Sequence, residues 1–143
     1  MTHKPVLALL GVFLLPLALA WLVLEQGWFN AGTRGHGEWV QGHIGPARQW
    51  RLVLSRPQDC DYCESASRML TNLNLALGRD GERVTVVQRP AGDVLEAGFV
   101  YIADPPGLLI MRYPLVGDEQ QNISTGRRLL QDLRRLLKYS RAG

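Results

Sequence analysis

Trp50-Arg51-Leu52-Val53-Leu54-Ser55, closed by Pro57 and followed by Asp59-Cys60-Asp61-Tyr62-Cys63, is the stretch on which the fold reading turns. The first six residues are a short, apolar, β-prone run, and a proline ends it because proline has no N–H to give to a sheet ladder. Gln58 and Asp59 form a turn. Residues 61–79 then carry Met69, Leu70, Leu73, Leu75 and Leu77 at largely helical spacing, with Gly78 and Asp80-Gly81 closing the helix. The chain's two cysteines, spaced C-x-x-C, therefore fall between a strand and the start of a helix.

That position has chemical consequences. Unpaired N–H groups at a helix N-terminus favour a thiolate, so Cys60 is the better nucleophile or metal donor, and Cys63 is spaced to close a disulfide or share a soft metal. Four uses of the pair are open: disulfide exchange, Cu(I) binding, redox sensing or docking, and an inert staple. A loop closed over two residues restrains the unfolded chain little, which argues against the staple. Asp59, Asp61 and Glu64 surround the thiols and oppose thiolate formation, which disfavours a strong oxidase and is compatible with attracting a cation. A copper site wants a third soft or imidazole ligand, yet no histidine follows His43. His36 and His43 read as solvated residues outside the domain, and Met69 and Met111 as core.

Outward from this stretch, residues 83–87 read as a second strand and 90–96 as a short connector. The runs 99–102 and 108–111 flank Asp104-Pro105-Pro106-Gly107, a strong turn signal, and so predict an antiparallel hairpin. A final helix, capped by Ser124 or Thr125, places Leu129, Leu130, Leu133, Leu136 and Leu137 in one apolar stripe. The predicted order is β-α-β-β-β-α, an α/β class, and it corresponds to a minimal thioredoxin-like arrangement.

Toward the N-terminus, Val6 to Leu24 has no charged side chain, and about 20 apolar residues suffice to cross a bilayer. Residues 1–25 are therefore expected to be a signal anchor. Ala18-Leu19-Ala20 offers the alternative of a cleaved signal peptide, but the apolar run continues through Trp21-Leu22-Val23-Leu24. Either reading exports the rest of the chain, and Lys4 favours an N-inside orientation. Residues 26–49, glycine-rich and without sustained period, are expected to be a juxtamembrane linker, leaving 50–143 as the domain.

The 143 residues carry a net charge of +3, with Arg127, Arg128, Arg134, Arg135, Lys138 and Arg141 crowded near the end. This is too local and too leucine-rich for a nucleic-acid surface, and no nucleic-acid partner is expected. The arginines are either the solvated face of a packed helix or a contact to anionic lipid or an acidic subunit. No P-loop, dinucleotide fingerprint, zinc-protease motif or Ser-His-Asp grouping occurs. Asn122-Ile123-Ser124 matches a glycosylation sequon, which has little meaning in a bacterial-type chain.

The chain resembles the Sco/SenC thioredoxin-like proteins, membrane-anchored factors of cytochrome c oxidase assembly, and still more a set of small proteobacterial proteins of the same pathway. The residues concerned are the anchor, Gly37-Glu38, Asp59-Cys60, 73–78, Tyr101-Ile102-Ala103-Asp104-Pro105 with Gly107, Met111-Arg112-Tyr113-Pro114, and 129–141. The resemblance implies a single-pass protein of the bacterial inner membrane with its domain in the periplasm. Its partners would be oxidase subunits or assembly factors, and copper would be a possible ligand at Cys60 and Cys63. The chain departs from Sco-type proteins in having C-x-x-C rather than C-x-x-x-C, and it lacks their distant histidine. No proline stands directly before Phe99, where thioredoxins have a cis-proline; Pro90 is the nearest.

Overall fold

The structure, a computed structural model, describes residues 3–25 and 36–141, which fall in two compact units, Met1–Arg34 and Gly35–Gly143. The first contains helix α1, Lys4–Glu25, long and apolar enough to cross a membrane. At about 1.5 Å per residue it reaches the thickness of a hydrocarbon core.

The second unit is a five-stranded sheet with two helices. Its strands are β1 (Glu38–Trp39), β2 (Trp50–Arg56), β3 (Val84–Pro90), β4 (Phe99–Ala103) and β5 (Leu109–Pro114), in the spatial order β1-β5-β4-β2-β3. Helix α2 (Cys63–Ala76) and a 3-10 turn (Gly78–Arg83) connect the parallel pair β2 and β3, which run in register from Trp50 opposite Val84 to Arg56 opposite Pro90. β4 lies antiparallel to β2, and β5 antiparallel to β4, so the expected hairpin forms. Asp104 closes its turn by accepting the Gly107 and Leu108 N–H groups at 2.9 and 2.7 Å.

The alternation of β2 and β4 divides the core between the two faces of the sheet. Leu52, Leu54, Val100 and Ile102 meet Leu70 and Leu73 of α2 and Leu129, Leu133 and Leu137 of α3 (Glu119–Tyr139). Val53, Tyr101, Ala103 and Leu109 pack on the opposite face beneath Leu95, Val40 and Ile44, so connecting segments supply the cover there. The leucine stripe of α3 is as the spacing predicts. In α2 the spacing misleads at one position: Leu75 is exposed.

β3 runs to Pro90 and β5 to Pro114, past the expected 87 and 111; three further boundaries differ from the sequence reading. Helix α2 begins at Cys63 rather than Asp61 and ends at Ala76, with Leu77 passing into the 3-10 turn. Helix α3 begins at Glu119, capped by the Asp118 carboxylate on the Gln120 N–H, not at Ser124 or Thr125. The extra turn is held because the Asn122 side chain, buried inside it, bonds both the N–H and the C=O of Val116.

The third difference is the largest. Residues 36–49, expected to be linker, belong to the folded unit. Glu38 and Trp39 pair with Arg112 and Met111, and the Ile44 N–H bonds Gly107 O at 2.9 Å. The buried carboxylate of Asp132 on α3 fixes the start of this segment. It accepts the His36 N–H at 2.6 Å, the Gly37 N–H at 3.2 Å and the Tyr113 hydroxyl at 2.7 Å. Glu38 and Glu96 both ion-pair with Arg112 on the sheet, at 2.8 and 2.6 Å. Residues 26–35 lie outside the described residues.

Two expected effects follow from this packing. Gly107 has φ +105, and a Cβ there would run into the Gly45 backbone. Gly107→Ala is therefore expected to lower stability by about 1–3 kcal/mol, measured as a shift in urea midpoint. Burial, reinforced by the Asp132 carboxylate, raises the Tyr113 phenol far above its ordinary 10.0. The folded form then keeps a proton that the unfolded chain releases, so this contribution is complete below about pH 10 and is lost as pH rises beyond it. In urea titrations, Tyr113→Phe is expected to flatten the loss of stability above pH 10 relative to the parent.

Candidate functional site

Cys60 and Cys63 form a disulfide, with Cα atoms 5.5 Å apart. β2 ends at Arg56, Pro57 stops the ladder, and the chain turns through residues 57–62 into α2. The pair thus lies at the C-terminal end of two parallel strands, where α/β folds commonly place reactive groups. Cys63 is the first helical residue and is buried at 5% exposure, whereas Cys60, ahead of the helix, is partly exposed. Of the two residues, Cys60 is therefore the more accessible to solvent.

The helix start at this point has no side-chain cap. Its first N–H groups have no acceptor one turn earlier, so they leave a partial positive charge beside the sulfurs. The Tyr62 carbonyl accepts the Ala66 N–H and the Ser65 hydroxyl, both at 2.9 Å, which holds the turn against the helix. The Tyr62 ring packs against the helix-side core. Its hydroxyl lies 3.6 Å from the point a Cβ of Gly98 would occupy, at the entrance to β4. Gly98 has φ +84, and its carbonyl accepts the Leu115 N–H at 2.8 Å. Gly98, rather than a proline, thus occupies the position facing the cysteine turn, and no peptide bond among the described residues is cis. The sequence signal was present in Ala97-Gly98 ahead of a β run, but a glycine before a strand has many uses.

Charge around the pair is divided. Asp59, Asp61 and Glu64 are exposed. Glu64 meets Arg68 one turn on at 3.4 Å, a surface pair of small energetic value. On the strand side Arg56 ends β2 ahead of the turn, whereas the Arg89 guanidinium bonds Ile44 O at 3.2 Å on the other face of the sheet.

The other candidate residues lie elsewhere. His43 bonds Pro106 O through Nε2 at 3.0 Å and accepts the Gly45 N–H on Nδ1 at 3.2 Å, an arrangement suited to the Nε2–H tautomer. Pro106 belongs to the β4–β5 turn, beside the N-terminal end of β2, whereas Cys60 follows the C-terminal end. The length of β2, about 20 Å, separates them. His36 approaches Asp132 at 3.3 Å, near the opposite sheet edge. The segment bearing both histidines folds back, but onto the far end and edge of the sheet. Met111 is buried with the Tyr113 hydroxyl 3.5 Å from its sulfur, and Met69 lines a groove between α2 and α3. Among the described residues no three His, Cys, Asp or Glu groups gather as a metal site. Reduced, the two cysteines would give a soft metal two ligands without a third, so the donor set does not fit a three-ligand copper centre.

Of the basic residues of α3, Arg134 donates to Ala76 O at the end of α2 at 2.9 Å, and Arg127 lines the α2–α3 groove. The chain matches no known family model, no curated protein and no solved structure.

Proposed function

We propose that this protein is a membrane-tethered, thioredoxin-like thiol–disulfide factor, with Cys60 as the attacking sulfur and Cys63 as the resolving one. The observation that carries the reading is a disulfide between a partly exposed Cys60 and a buried Cys63, at an uncapped helix start beyond two parallel strands. Supporting the thioredoxin-like assignment are the β2-α2-β3 crossover, the β4–β5 hairpin and the packing helix α3. The connector from Pro90 to Phe99 is too short for the helix that larger members insert there, and β1 is an addition at the far edge.

In the working direction, the Cys60 thiolate attacks one sulfur of a partner disulfide and a partner thiolate leaves. The Cys63 thiolate then attacks Cys60, and the second partner thiolate leaves. Two electrons pass from this protein to the partner, and the Cys60–Cys63 disulfide that remains is re-reduced by a further dithiol. The helix start favours negative charge on the sulfur, while the nearby carboxylates keep the pair from being a strong oxidant. A reducing role fits this balance: keeping copper-site cysteines of another protein as thiols.

The tether would be α1, spanning a bacterial inner membrane with the domain in the periplasm. Placement in cytochrome c oxidase biogenesis follows from the resemblance to Sco/SenC proteins, and the partners would be oxidase subunits or assembly factors. The test is replacement of the parent by Cys60→Ser in cells. Oxidase assembly and the reduced fraction of the partner's thiols are expected to fall together; unchanged values of both would exclude the reading.

A further inference from the structure

Helix α3 carries its charge on one side. At 3.6 residues per turn, Arg127, Arg128, Arg134, Arg135 and Lys138 fall within about a third of its circumference, and all five are exposed. Past Glu119 the helix has a single acidic residue, Asp132, and that one is buried on the opposite side. Resting on the membrane tether of the reading above, we infer that this basic face docks on a bilayer surface of anionic phospholipid.

The place where the chain enters the folded unit favours this occupant. The unit begins at Gly35, and His36 is held to Asp132 of α3, by its N–H at 2.6 Å and through its ring Nδ1 at 3.3 Å. Arg128 and Arg135 stand about one turn before and after Asp132 on the same helix. Only ten residues, 26–35, separate His36 from the end of α1, and a stretch of that length spans at most about 40 Å. The folded unit is thus joined to its tether at α3. A tether supplies a high effective concentration at the bilayer, so a polybasic face needs little affinity of its own to dock.

The cationic groups are not neutralised within the fold. Arg127, Arg128 and Lys138 have no carboxylate within ion-pair distance among the described residues. Arg134 donates to Ala76 O at 2.9 Å, a neutral acceptor that leaves its charge in place. Asp80, in the 3-10 turn, is met by Arg83, which also bonds Leu137 O at the end of α3. Lys138 lies 5.7 Å from the ring of Tyr139, which is 80% exposed, and an exposed tyrosine beside basic residues suits a headgroup layer. Lipid phosphates accept such residues in any register, so one-sided charge is enough, and the attraction fades within a screening length.

Docking by this face leaves the cysteine turn uncovered. The Met69 sulfur stands 3.0 Å from where a Cβ of Gly126 would lie, and Arg134 reaches the end of α2, so the two helices run the same way. The basic stretch begins level with Met69, about 9 Å along α2 from Cys63, and continues away from it.

The experiment places a bimane on full-length Gln131→Cys, with Cys60–Cys63 left oxidised, in lipid nanodiscs containing a nitroxide-headgroup lipid. Gln131 is exposed in the middle of the basic face. The bimane is expected to be quenched in discs of about one-third phosphatidylglycerol in phosphatidylcholine, and not in phosphatidylcholine alone. Salt at about 1 M is expected to release it, which tests the parent sequence of the face without altering its charge. Adding Arg127→Gln/Arg128→Gln/Lys138→Gln is expected to lower the docked-to-free ratio about a hundredfold, bringing the signal to the phosphatidylcholine value. Equal signals in the two discs, or anionic quenching that survives either salt or the triple variant, would overturn the inference. A face unquenched in anionic discs would overturn it too, and leave an acidic protein surface as the fitting partner. Elution of the protein apart from both kinds of disc would overturn the tether and the docking together.

Discussion

Cys60→Ser is expected to abolish exchange, whereas Cys63→Ser is expected to stop it after the first step. The asymmetry follows from exposure and helix position. Cys60, ahead of the helix, is a partly exposed residue; Cys63, the first helical residue, is buried at 5%. Without Cys60 no sulfur of the pair faces a partner, and turnover falls to the background of the uncatalysed reaction. Without Cys63 the attack proceeds but nothing displaces the partner, so a mixed disulfide persists. Both substitutions replace sulfur by a smaller oxygen, and the loop they release spans two residues, so little stability is at stake. An inert staple would behave differently: the two serine variants would be equivalent, and neither would accumulate an adduct.

Asp132→Ala is expected to lower stability by about 2–4 kcal/mol, a large share of the total for a domain of this size. The carboxylate is almost fully buried and accepts three hydrogen bonds, from His36, Gly37 and Tyr113. Alanine leaves these donors without their acceptor and opens space under the segment that forms β1. The loss should be visible as a lower urea midpoint and, by hydrogen exchange, as loss of protection at Val40 and Ile44, whose N–H groups bond Ile110 O and Gly107 O. Exchange chemistry should persist under native conditions, because β5 and β4 stand between β1 and β2, the strand that leads to Cys60. A change below about 0.5 kcal/mol would mean that this carboxylate does not hold the segment.

How much of this was legible in the sequence varies by element. The hairpin was, because Asp104 through Gly107 is a turn signal with its own mechanism and the flanking runs are apolar on both sides. The C-x-x-C pair was placed to within two residues of the true helix start. Residues 36–49 were not legible. Their pairing is a two-residue strand, an isolated bridge between His43 and Leu108, and a carboxylate nearly a hundred positions away, none of which leaves a periodic trace. Nothing in the sequence singles out Asp132; only the fold shows that it points inward. The early start of α3 was hidden for a related reason. Asn122 looks like a helix breaker by composition, yet its buried bonds to Val116 make it a reason for the extra turn. Leu75 shows the opposite error, a leucine that sits in a pattern and faces water.

The most direct test of the central claim is to express full-length Cys63→Ser, trap thiols with acid and an alkylating agent, and separate membrane proteins without reductant. The expected result is a partner-sized adduct that runs to the monomer position on reduction and is absent from Cys60→Ser/Cys63→Ser. An alkylated, adduct-free Cys60 in Cys63→Ser, with oxidase levels at the parental value, would contradict a working thiol–disulfide pair.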